Sequence, residues 1–337
     1  MRLLIMGGTR FIGRHLVAAL QAGGHDLTLV NRGLTAPAVF ADLPQIHVDR
    51  RTDALGPALA ATGSWDAVLD LSCYYPTDAE RLLQALVGRV KRYVFLSTIS
   101  VYAALNKMDE AGSLPILNEQ SPVVPWTAAD EAAPEAAGYG ARKVACERIV
   151  RRWQNQGLDT VILRPSVVYG AHDYTDRMAY WIWRAMSDRP FILPDDGQRV
   201  FMRTYAPDLA QALVAAVTGP ALVGGVFNML ESQALTWRQT LQQLGAALGT
   251  TPGHLAVSVP SETLIGAGLQ PSVDIPLWLP ADLRFDAPAF WSRAGITETP
   301  AAQALAEAAS AFRGEGRAPT AGISVEREQE ILATLAT

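Results

Sequence analysis

Tyr139 and Lys143 stand four residues apart in a segment whose pattern predicts a helix from about Ala136 to Gln156, so their side chains share one face. The chain has nine tyrosines but only three lysines, Lys91, Lys107 and Lys143, and well under one such pair is expected by chance. An ammonium beside a phenol favours the phenolate and draws its pKa from about 10 toward neutrality. A phenol tuned in this way takes a proton from a substrate oxygen, or returns one, while hydride moves at the adjacent carbon. Ser97, Thr98 and Ser100 follow a short apolar run, Tyr93–Leu96, at the end where open α/β sheets collect ligands. A hydroxyl there can orient a substrate oxygen, although Ser97 and Thr98 taken alone read as turn residues.

A second group lies near the N-terminus. Gly7-Gly8-Thr9-Arg10-Phe11-Ile12-Gly13 falls between a predicted strand, Arg2–Met6, and a predicted helix, Phe11–Ala22. The first glycine permits a tight turn, the small residues after it let backbone approach a pyrophosphate, and Gly13 lets helix and strand pack closely. The helix N-terminus attracts the anion. This placement predicts a dinucleotide cradle. The next strand ends at Asn31-Arg32 without the acid that would favour NAD through its 2′-hydroxyl. Asn31 can still meet a ribose, and Arg32 offers a planar fork suited to a 2′-phosphate. Arg10 adds a second cation at the same sheet end. The reading favours NADP over NAD. Asp49 closes a third short run where an adenine amino group could be met.

The elements that must position these groups follow one rhythm. Short apolar runs at Arg2–Met6, Leu27–Val30, Ile46–Asp49, Val68–Leu71, Tyr93–Leu96 and Thr160–Leu163 alternate with helical patterns. That predicts a doubly wound α/β fold, a Rossmann-type parallel sheet covered on both faces. Residues 1–165 are expected to form the dinucleotide-binding domain, with return segments near residues 200–230. Residues 166–337 are expected to form mainly a smaller substrate-binding domain with C-terminal helices. Ala206–Val217, Trp237–Gly249, Ala301–Phe312 and Ser324–Leu335 read as helices, and residues 250–300 as irregular. Ala103–Ala137 is long enough to be a lid or mouth.

At 337 residues and 49% apolar content the chain can bury a large core. A net charge of -5 and a scarcity of lysine argue against nucleic acid as a partner. Cys73 and Cys146 lack CxxC spacing and read as reduced, partly buried thiols. The five histidines show no metal-site spacing. No stretch reaches the ~18 apolar residues of a membrane span, and a cytoplasmic location is expected.

Four segments together resemble the extended, atypical short-chain dehydrogenase/reductase family, the NAD(P)-dependent epimerase/dehydratase group. They are Gly7–Gly13 (GGTRFIG), Phe95–Tyr102, Tyr139–Lys143 and Leu163–Gly170. Their order and spacing match from residue 1 to about 230. The resemblance implies Thr98 as the Ser/Thr catalytic position, Tyr139 as acid/base and Lys143 as its partner. It places Asp49 and Arg50 at adenine and Ser97 in the cofactor site. It also implies that Thr204–Asp208 returns to the main domain and Gly224–Asn228 forms a late strand, and that a homodimer pairs through the Tyr139 helix. Arg10 replaces the usual middle glycine, as in a GGTRFIG subgroup that includes RNA-binding members. Ile99 and Ser100 depart from the sugar-dehydratase pattern, and Val167 stands where sugar-nucleotide enzymes often have an asparagine. The substrate class is left open as a small molecule, a nucleotide sugar or a ketone. The competing reading is a non-catalytic cofactor- or RNA-binding protein on the same scaffold. The segment after Gly170 is expected at the substrate mouth, where its aromatics either stack on a ring or bury Tyr180, Trp181 and Trp183 in a helix. Arg177, Arg199 and Arg203 are candidates for an anionic substrate group.

Overall fold

The computed structural model describes residues 1–35, 38–107, 113–133, 137–286 and 289–335. Its centre is a sheet of seven parallel strands: β1 (Arg2–Met6), β2 (Asp26–Asn31), β3 (Gln45–His47), β4 (Trp65–Asp70), β5 (Val90–Leu96), β6 (Asp159–Pro165) and, later in the chain, Val226–Met229. That last strand pairs with β6, and the order across the sheet is Val226–Met229, β6, β5, β4, β1, β2, β3. The order reverses between β1 and β4, so a crevice opens beyond their C-terminal ends.

The strands form because their side chains find cover on both faces. Leu3, Leu4, Ile5 and Met6 are all buried, each contributing roughly 1.5–3 kcal/mol. Alternation sends Leu3, Ile5, Leu29 and Val94 into one core and Leu4, Met6, Val30 and Phe95 into another. The first core is covered by α1 (Ile12–Ala22) and by a returning helix, Ala206–Thr218. The second is covered by α2 (Leu55–Ala60), α3 (Pro76–Ala85) and, after a short α4 (Ala128–Ala132), by α5 (Tyr139–Asn155). Helix α5 starts at Tyr139; residues 134–136, where the sequence pattern begins it, lie outside the described residues.

A third core joins residues on either side of position 166, from Ile99, Tyr102 and Leu117 to Ile331. It is built from short strands β7 (Val168–Tyr169), β8 (Phe191–Pro194), β9 (Val200–Phe201) and β10 (Thr204–Tyr205), with α6 (Arg177–Met186). The returning helix is α7 and Val226–Met229 is β11; β12 (Leu235–Thr236), α8 (Trp237–Leu248), β13 (Ala256–Val259), α9 (Ser261–Gly266), α10 (Ala289–Ala294), α11 (Ala301–Glu315) and α12 (Val325–Leu335) follow. The stretch expected to be irregular thus contains a strand, β13, paired in parallel with β8, and two short helices. Of the expected lid, Ala103–Ala137, the described part is anchored, with Leu117 bridged to Phe285 and Val124 bonded to Val101; its residues 108–112 and 134–136 lie outside the described residues. Among the described residues no helix is long and apolar enough to cross a membrane.

Candidate active site

The glycine turn does what its spacing demands. Gly7 and Gly8 take φ of 103° and 100°, conformations that L side chains rarely adopt. A Cβ on Gly13 would lie 2.6 Å from the Gly8 Cα, so helix α1 can meet the turn only with glycine there. Phe11 enters α1 at φ 34°, held by its buried ring. Around this turn lies a cavity of about 550 Å³ whose wall includes Gly7–Gly13, Asn31, Arg32, Asp49, Arg50, Ser72, Tyr74 and Arg142. It sits at the reversal of strand order. Its size and the open backbone at Gly7 and Gly8 suit a dinucleotide.

At the β2 end, Arg32 is exposed and has no hydrogen-bond or ion-pair partner among the described residues. Asp49 is clasped by Arg51 through both carboxylate oxygens, at 3.1 and 2.8 Å. Hydrogen bonds from Arg51 pull the Asp49 carboxyl down to about 2. Asn31 accepts a hydrogen bond from Gly33 N at 2.7 Å and donates to Gln45 at 2.9 Å, so its amide shapes the turn beneath Arg32. Arg50 is occupied differently from the expected adenine contact. Its guanidinium forms a fork on buried Asp70 at 2.6 and 2.7 Å, and Tyr93 donates to the same carboxylate. Desolvating that arginine requires such a partner. Arg50 therefore borders the cavity as part of its frame.

At the other end, Thr98 and Tyr139 meet. The Thr98 hydroxyl accepts from Ser100 N and donates to the Ser100 hydroxyl, both at 3.2 Å, and stands near enough to Tyr139 to pull its phenol down. Tyr139 opens α5 beside the turn at residues 98–101, and Gly140 makes this approach possible: a Cβ there would fall 2.0 Å from the Ser100 carbonyl oxygen. Lys143, one turn on, is buried and donates to the carbonyls of Cys73 at 2.9 Å and Leu96 at 2.5 Å. It also faces the Phe95 ring at 4.4 Å. The expected lowering of the phenol by Lys143 does not prevail in the free protein. Burial pushes the Tyr139 phenol up, against the pull of the nearby Thr98 hydroxyl and the Arg142 charge.

Ser97 is not in the cavity wall. Consecutive residues of an extended segment point to opposite sides, and Ser97 donates inward to Glu147 at 2.6 Å. Glu147 in turn holds Arg164 by two bonds of 2.9 and 2.6 Å. Tyr139, Lys143 and Glu147 form one stripe at intervals of four along α5, a periodicity visible in the sequence whose third member was missed. Arg142 and, just after β4, Leu71, Ser72, Tyr74 and Tyr75 also line the site; the position after β4 at the strand-order reversal was their only signal. Arg203 is buried against Glu231 at 3.4 Å and Thr240 at 3.1 Å, and Arg177 bonds Thr175. Tyr180 and Trp181 are buried in α6, while Tyr174 stays at the cavity. Cys73 and Cys146 are fully buried free thiols 3.7 Å apart.

Comparison with known proteins agrees with this geometry. The family model described as NAD dependent epimerase/dehydratase family matches residues 3–229. The chain is 28% identical to the 2′-dehydrokanamycin reductase of Streptomyces kanamyceticus, over 78% of this chain and 70% of that protein. It is 26% identical to the chloroplast stem-loop binding protein of 41 kDa b from Arabidopsis thaliana, over 70% of this chain and 60% of that one. The fold superposes on UDP-glucuronic acid 4-epimerase from Bacillus cereus in complex with NAD with a TM-score of 0.69 at 18% identity, covering 94% of this chain and 99% of that one. Together with the glycine turn at the strand-order reversal, the family match is decisive: the chain belongs to the NAD dependent epimerase/dehydratase family and is a nicotinamide-cofactor enzyme of the short-chain dehydrogenase/reductase type.

Proposed function

We propose that the protein moves hydride between NADP(H) and a carbinol or carbonyl carbon of a small molecule, with Tyr139 as acid/base. The observation that carries this reading is the close packing of the Tyr139 end of α5 against the turn that holds Thr98, with the buried ammonium of Lys143 one helical turn on. The bound cofactor would supply or accept the hydride. Thr98 would orient the substrate oxygen, and Tyr139 would give that oxygen its proton or remove it. Lys143 keeps one N–H beyond the two used on carbonyls, enough to hold the nicotinamide ribose. The preference for NADP rests on Arg32, an unpaired cation at the ribose end, beside an Asp49 already neutralised by Arg51. Arg10, stacked on Tyr174, adds a second cation without a carboxylate partner. The substrate would be a nucleotide sugar or a ketone, and the likeness to a reductase supports the carbonyl direction. The reading keeps a homodimer through α5. Tyr139→Phe tests it. Turnover should disappear while NADPH binding, followed by cofactor fluorescence, stays within about twofold, as expected when only a proton-transfer group is lost. Unchanged turnover would falsify the assignment.

A further inference from the structure

A buried charge is costly unless it is paired, and one acid beyond the C-terminal ends of β3 and β4 breaks that rule. Asp78 lies in the first turn of α3 and is 3% exposed. Its main chain is fixed: the Asp78 N–H donates to the Tyr75 carbonyl at 3.0 Å, and its own carbonyl accepts from Arg50 at 3.2 Å. Its carboxylate makes no hydrogen bond and no ion pair among the described residues. The three cations that bear on it are committed elsewhere, Arg50 to Asp70, Arg81 to Asp53 and Arg51 to Asp49. Burial pushes the Asp78 carboxyl up, against the charge of Arg50 and with that of Asp70. The group lacks a donor, and a donor would favour its charged form.

Asp78 borders the cofactor cavity together with Val48 and Arg50, the wall just beyond β3. With the pyrophosphate on the glycine turn and the ribose at the β2 end, the base falls to this wall. The two residues expected there are already engaged. Asp49 has both carboxylate oxygens clasped by Arg51, and Arg50 closes its fork on Asp70. An exocyclic amino group brings N–H donors and no charge, which suits a buried carboxylate that has none.

We propose that Asp78, in place of Asp49, reads the base of the cofactor: its carboxylate accepts the amino group of adenine and rejects a purine with oxygen at that position. Oxygen there would set two acceptors face to face with no proton between them. This inference rests on the dinucleotide reading of the cavity, and it names the residue that makes that cavity specific for adenine.

Binding tests it without turnover. Cofactor fluorescence would be titrated with NADPH and with its hypoxanthine analogue, in which oxygen replaces the adenine amino group. The proteins are wild type, Asp78→Asn, Asp78→Ala and Asp49→Asn. Wild type should bind NADPH about ten- to 100-fold more tightly than the analogue, the worth of a hydrogen bond to a buried charged group. Asp78→Ala should bring that ratio close to one by weakening NADPH. Asp78→Asn should bring it to one or invert it, because the new amide can donate to the hypoxanthine oxygen. Asp49→Asn should keep the wild-type ratio. The same pair of titrations with NADH and its hypoxanthine analogue should give the same ratio, which separates the base from the 2′-phosphate. The proposal is overturned if wild type binds both bases alike, if the Asp78 variants keep the wild-type ratio, or if Asp49→Asn erases it. Failure of the hydride-transfer reading is seen separately, in the turnover of Tyr139→Phe.

Discussion

Gly140→Ala isolates the contact that brings Thr98 and Tyr139 together. The added Cβ would sit 2.0 Å from the Ser100 carbonyl oxygen and 2.9 Å from its carbon, where real Cβ atoms stay beyond 3.0 Å. The obstacle is backbone, so no side chain can swing aside. Either α5 or the turn at residues 98–101 must retreat by about 1 Å. Alanine is the better helix former by about 1 kcal/mol in a helix interior, which partly offsets an overpacking cost of about 1–3 kcal/mol. The net loss of stability should be small, on the order of 1 kcal/mol. The effect on chemistry should be larger, because misplacing a reacting group by about 1 Å costs on the order of 100-fold in rate. Gly140 is not in the cavity wall, so NADPH affinity should hold. Gly138→Ala is the control: its Cβ would have nothing within 4 Å, and its turnover should stay within about twofold of wild type, its only loss being capping preference. The assay is NADPH oxidation at 340 nm with parallel fluorescence titration. A Gly140→Ala enzyme with wild-type turnover would refute the argument, as would equal losses in both variants.

Three further outcomes are expected. Arg32→Ala should weaken NADPH by about ten- to 100-fold, the worth of a charge-assisted hydrogen bond, and leave NADH nearly unchanged in calorimetric titrations; equal loss for both cofactors would remove the 2′-phosphate role. Because burial raises the Tyr139 phenol, the free enzyme keeps it protonated at neutral pH. The kcat/KM for carbonyl reduction, which needs the phenol, should be flat from about pH 6 to 8, and that for carbinol oxidation, which needs the phenolate, should climb with pH toward the raised value. Reduction that falls across that window would contradict the sign. Glu147→Gln leaves Arg164, whose side chain is 2% exposed, facing a neutral amide; removing one partner of a buried pair costs about 3–5 kcal/mol, to be read as a lower urea midpoint, and an unchanged midpoint would show the pair to be dispensable.

The six strands read from apolar runs all occur, although β3 ends at His47 and leaves Asp49 beyond it. They were legible because a parallel strand buried on both faces is a continuous hydrophobic run. The C-terminal half was less so. Strands β7, β9, β10 and β12 are two residues long, too short to carry a period, and they exist because distant partners pair with them.

The same division runs through the site. Local sequence determined the Gly7–Gly13 turn, whose demands are φ and close approach, and the i, i+4 stripe of Tyr139 and Lys143, which helix geometry fixes wherever the helix lies. Tertiary structure decided what each side chain faces. Ser97 turned to Glu147 and Thr98 to Ser100, although they are neighbours of similar chemistry. Arg50 found its carboxylate on Asp70, in the next strand. Tyr174 was left at the mouth while Tyr180 and Trp181 went into the core. The protonation of Tyr139 was decided there too, because burial depends on everything packed around the phenol, and a spacing of four residues sets only which cation stands nearby.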